Sequence, residues 1–82
     1  MEWIVLEREF PFPLDADMAR KMVTEATCLG LYRVTPIRSY LMPGGRRMVC
    51  IFEAPDAEAI RAVGRVNDAP PGIVWSSTLH TP

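Results

Sequence analysis

The chain has 82 residues, 49% of them hydrophobic, and its nine basic and ten acidic residues leave a formal charge of -1. That length allows one domain, residues 1–82, with a marginal core, because a chain this short buries only roughly 60–65% of its unfolded surface. That charge balance is a poor footprint for nucleic acid, which calls for a basic stripe; no basic run is longer than two residues, as at Arg46-Arg47.

Cys28 and Cys50 lie far apart in apolar surroundings and form no CxxC motif, so each reads as a small hydrophobe. The opening MEWIVLERE carries acid where a signal peptide carries base, and no apolar run approaches the ~20 residues that span a bilayer. The expectation is a cytoplasmic protein with reduced thiols, partnered by neither membrane nor nucleic acid.

Trp3 to Phe10 is rich in aromatic and branched residues and is stopped by Pro11 and Pro13, which predicts a first strand. Asp15 is placed to cap a helix over Ala16 to Cys28. Met18, Met22 and Ala26, with Ala19 and Val23 beside them, recur at spacings of three and four, and Gly30 stands where a helix ends. Val34 to Met42 reads as a second strand, and Pro36 suits it to a sheet edge. Pro43-Gly44-Gly45 supplies a turn into a third strand, Arg47 to Glu53. Ala54-Pro55-Asp56 then stops that strand and caps a second helix, Ala57 to about Val66, with Ala59, Ile60, Val63 and Val66 inward. Gly64 costs that helix about 0.5–1 kcal/mol relative to alanine, a sign of close packing or of a short helix. Ile73 to Leu79 completes the set as a fourth strand.

The order β-α-β-β-α-β is the ferredoxin-like plan, an α+β fold with four antiparallel strands and two helices on one face. One open face should then alternate polar with apolar, and it does not. Val49 and Ile51 fall on one side of the third strand and Met48, Cys50 and Phe52 on the other; Ile4 and Leu6 oppose Trp3 and Val5 in the first. Two helices cover one face only, so the expected cover for the second is another copy of the same sheet. That arrangement is a homodimer of the dimeric α+β barrel type.

The segments Glu7-Arg8-Glu9-Phe10-Pro11, Ser39-Tyr40, Cys50 and Glu53 to Ala59 together resemble the DUF4242 family of small bacterial proteins. The resemblance covers nearly the whole chain. It implies a ferredoxin-like fold, a face-to-face dimer and nickel binding, the activity proposed for one family member. The chain departs from the family after the second helix, where Asn67-Asp68-Ala69-Pro70 replaces the usual G-L-P, and its single histidine, His80, lies at the tail.

Two sets of residues are candidates for chemistry. Arg38 and Tyr40 share a face of the second strand. Placed with Met48, Cys50 and Phe52, they would line a ligand pocket between two sheets, as polar handles for an anionic or phenolic ligand. The same residues would equally make a dimer seam in which Tyr40 finds a hydrogen bond and Arg38 reaches solvent. Cys50 has no histidine nearby in sequence to activate it and reads as a packing residue. For a metal such as nickel, Glu7, Glu53 and His80 are the available oxygen and nitrogen donors. The bland reading of the two glutamates is an ion pair for Glu7 and turn ordering for Glu53. Three function classes stay open: a homodimeric binding protein for a transition metal; a cofactor-free isomerase or monooxygenase-like enzyme acting on a small organic ligand between the sheets; and an interaction domain.

Overall fold

A computed structural model describes the chain except for residues 71, 79 and 82. The elements run β1 (Glu2–Glu9), α1 (Ala16–Thr24), β2 (Thr35–Leu41), β3 (Arg47–Ala54), α2 (Ala57–Val66) and β4 (Gly72–Ser77). The strands form one antiparallel sheet in the order β2-β3-β1-β4, the ferredoxin-like arrangement. Leu79, at the expected end of the fourth strand, lies outside the described residues. With dimensions of 35 × 32 × 19 Å the molecule is a two-layer slab, one sheet and one layer of helices.

Alternation along the central strands builds the core. Ile4 and Leu6 of β1 stand opposite Phe52 and Cys50 of β3, and Met48 and Ala54 continue the same face. All six are buried, Ile4 and Ala54 completely, beneath Ala19 of α1 and Ala59, Ile60 and Val63 of α2. Met48, Cys50 and Phe52 therefore lie under the helices and not on the open face where a pocket between sheets would place them. The physical reason is charge: Arg47, Val49, Ile51 and Glu53 include two ions, whereas Met48, Cys50, Phe52 and Ala54 include none and tolerate the dry side. Val66, expected inward, is 49% exposed, and Ala62 takes a buried place beside Val63.

Both helices begin as expected. The Asp15 carboxylate accepts the Met18 N–H at 2.8 Å and the Asp56 carboxylate accepts the Ala59 N–H at 2.9 Å. Helix α1 ends at Thr24, short of the expected Cys28, and the side chain of Asn67 explains why. Its Oδ1 accepts the Thr27 N–H at 2.9 Å, a donor that a longer helix would have turned back on its own carbonyls. Its Nδ2 donates to the Thr27 carbonyl at 3.0 Å and to the Val63 carbonyl at 2.8 Å. One amide thus closes both helices and ties them together. Cys28 (φ 67°), rather than Gly30, takes the left-handed turn that follows.

The β2–β3 hairpin is fastened to the β1–α1 loop by two backbone bonds, Leu14 N–H to the Gly45 carbonyl and Phe10 N–H to the Arg46 carbonyl, each 2.8 Å. Gly45 (φ 73°) lies so close that a Cβ there would collide with the Leu14 carbonyl oxygen. Gly45→Ala should cost about 1–3 kcal/mol in urea denaturation through left-handed strain and collision. Gly30→Ala, with open space at the added Cβ, should stay within about 0.5 kcal/mol of the parent.

Burial at Cys50 gives a second expectation. Loss of solvation pushes its thiol above the ordinary range, with hydrogen bonding to Ser39 and the charge of Arg8 partly offsetting the effect. The folded state therefore holds this proton to higher pH than the unfolded chain. Stability should be independent of Cys50 below the unfolded thiol range and should fall as pH rises through it toward the folded value. Chemical denaturation between pH 7 and 10 should show a shallower decline in Cys50→Ala than in the parent protein. Iodoacetamide should label Cys28, which is half-buried, well before Cys50.

Candidate functional site

Period-two alternation sends Trp3, Val5 and Glu7 of β1 to the side of the sheet away from the helices. Pairing then fixes their neighbours. Val5 faces Ile51 and Trp75, Glu7 faces Val49 and Ile73, and Trp3 faces Glu53 and Ser77. On β2, Arg38 stands opposite Ile51 and Tyr40 opposite Val49. A β-bulge at Ile37, just after Pro36, sets this register at the sheet edge, where a proline costs no ladder bond. The open face therefore has an apolar centre and a charged rim.

The centre contains Trp3, Val5, Val49, Ile51, Ile73 and Trp75. Val5 is already buried by its neighbours, while Ile73 is 67% and Trp75 43% exposed. Tyr40 extends the patch toward β2 with half its surface exposed. At the rim, Arg47 pairs with Glu9 at 3.5 Å, an exposed bridge worth little in water. Glu7 is held differently: its Oε2 accepts the indole N–H of Trp75 at 2.9 Å. That bond ties the Trp75 indole to the Glu7 carboxylate at the border of the apolar centre.

The candidate pocket residues divide between two faces. Arg38 and Tyr40 come together on the open side, whereas Met48, Cys50 and Phe52 are core residues on the other. Parity alone places Arg38 with Tyr40; the pairing of Tyr40 with Val49 separates both from Cys50, which pairs with Ser39. Sequence reasoning passed over Ile73 and Trp75 as members of the open face. Their signal is the pattern Ile73, Trp75 on one parity of a strand whose other parity holds Val74 and Ser76.

The metal candidates are not gathered within one chain. Glu7 and Glu53 share the open face, but Glu53 lies four residues along β3 from the partner of Glu7, roughly 13 Å at the usual rise per residue. His80 is exposed beyond the end of β4. Glu7 already accepts the Trp75 indole, and Cys50 is buried on the helix side of the sheet. Among the described residues no three His, Cys, Asp or Glu side chains stand close enough to share a cation. The donors of a single chain do not fit a nickel ion, which takes four or more ligands from a converging set.

Among the described residues, no helix is long and apolar enough to cross a membrane. No curated protein and no solved structure matches the chain. Residues 5–76 do match a family of nickel-responsive proteins, a relative of the DUF4242 family that the motifs resemble. The matched segment runs from the middle of β1 almost to the end of β4 and takes in both helices and most of the open face. By this match the chain belongs to the family described as Nickel responsive protein SCO4226-like.

Proposed function

We propose that the protein is a small homodimeric binding protein within this nickel-responsive family, joined open face to open face, with any metal held between the two copies. One observation carries the reading: the uncovered face of the sheet has a continuous apolar centre with carboxylates at its border. Exposed Ile73, Trp75 and Tyr40 beside Val49 and Ile51 make a patch that a lone chain would leave to water at a cost of about 25 cal/mol for each Å². A second sheet, packed across a twofold axis, removes that cost and lets the same residues meet themselves.

The pairing also bears on nickel. One chain supplies too few donors in one place, but two copies supply two sets of Glu7, Glu53 and His80. Carboxylate and imidazole suit nickel, and a site shared between copies would make metal and assembly interdependent. The DUF4242-like dimer of α+β barrel type is the corresponding architecture.

Native mass spectrometry and sedimentation of untagged protein, with and without nickel, test the proposal. The expected species at micromolar concentration is a dimer. Trp75→Glu, which puts a carboxylate into the apolar centre, should give a folded monomer. Calorimetric titration should show nickel binding at no more than one ion per two chains, weakened about tenfold or more by His80→Ala or by the joint change of Glu7 and Glu53 to glutamine. A monomer with no nickel heat would overturn both parts of the reading. A dimer with no nickel heat would leave the interface standing and remove the metal.

A further inference from the structure

The other side of the sheet holds a feature that the nickel-responsive family match does not explain. Between the helices and the sheet lies a cavity of about 300 Å³, at the lower end of the range for small-molecule sites. Leu6, Val34, Cys50, Ile60 and Val63 form its apolar walls. One permanent cation enters it: Arg8 of β1, which shares the helix-facing parity of Ile4 and Leu6.

Arg8 is an unusual residue to find there. Its Nε is shielded from water and donates to no acceptor among the described residues. Nor does its guanidinium lie within ion-pair distance of a carboxylate among those residues, whereas Lys21, also at the cavity, is already bridged to Asp17 at 3.2 Å. Arginine stays charged at any ordinary pH, and a buried N–H without an acceptor is normally an unmet demand. Burial pulls the guanidinium below its usual range, in keeping with the missing partner.

Helix α2 accommodates this group. Gly64 lies over the guanidinium, and a Cβ built there would stand 3.5 Å from Nη2. A methyl would touch without clashing; a longer side chain would take space beside Arg8. The glycine that weakens the helix thus keeps the cavity open at its charged end. Exposed Glu25 and Asp68 outnumber exposed Lys21 at the border of the cavity, and this net negative mouth disfavours a second negative charge on anything that enters.

We propose that this cavity binds a small organic monocarboxylate with an apolar body. Arg8 takes the carboxylate through its two terminal nitrogens, end on, a bidentate geometry that a guanidinium offers. The apolar body lies against Leu6, Cys50, Ile60 and Val63. The site is on the opposite side of the sheet from the proposed dimer face, so its occupancy and the oligomeric state are separately measurable.

The probe is octanoate, with 1-octanol as its uncharged counterpart, titrated into the full chain labelled with ¹⁵N. The expected result is saturable binding of octanoate at least about tenfold tighter than octanol, with the Arg8 Nε–H resonance shifting along the same isotherm. Arg8→Met should weaken octanoate tenfold or more and leave octanol within about twofold. Gly64→Leu, which keeps the charge but fills the space, should weaken both. Should either variant fail to fold, the comparison of octanoate with octanol and the Nε–H shift in the parent protein decide alone. Equal affinity for the two probes, absence of binding at millimolar octanoate, or shifts confined to the Trp3 and Trp75 indoles would overturn the proposal.

Discussion

The apolar pairing of β1 with β3 is the interaction on which the remaining structure depends. Ile4, Leu6, Cys50, Phe52 and Ala54 form a strip with almost no exposure, and both helices exist as helices because they bury Ala19, Ala59, Ile60 and Val63 against it. Isolated helices of nine and ten residues would be marginal in water. The same two strands also present Val5, Val49 and Ile51 to the opposite side, where no helix or strand among the described residues covers them. Two helices for four strands is the constraint from which the proposed association follows.

Local contacts connect this scaffold to its surfaces. Asn67 ends both helices and holds the Thr27 segment against α2, so the helix layer acts as one piece over the sheet. Gly45 locks the hairpin tip to the start of α1. Glu7 and Arg8 are neighbours in sequence but serve opposite faces: Glu7 orients Trp75 on the open side, and Arg8 brings a cation under the helices. Both residues are half-buried, so this one strand carries a charged group to each face of the sheet.

Much of this was legible in the sequence. Strand and helix periods, the Asp15 and Asp56 caps and the edge position of the Pro36 strand follow from local chemistry, and the element order then dictates the ferredoxin-like plan. Ends determined by distant residues were not legible. The stop at Thr24 depends on Asn67, forty residues further on from Thr27. The alternation of β3 was visible, but its facing was assigned to the wrong side for Met48, Cys50 and Phe52. The absence of charge on that parity was the available clue. Metal ligands were the least legible feature, because Glu7, Glu53 and His80 are donors by residue type alone and do not converge in one chain.

If the apolar open face is covered by a second copy, association and folding are linked, and stability must depend on concentration. The most direct measurement is the melting temperature of untagged protein across a hundredfold range of concentration, at fixed pH and without added metal. For a dimer of two 82-residue chains that unfolds to separated monomers, the account predicts a rise of about 4 °C for each tenfold increase. A reversible transition whose midpoint does not move with concentration would contradict it.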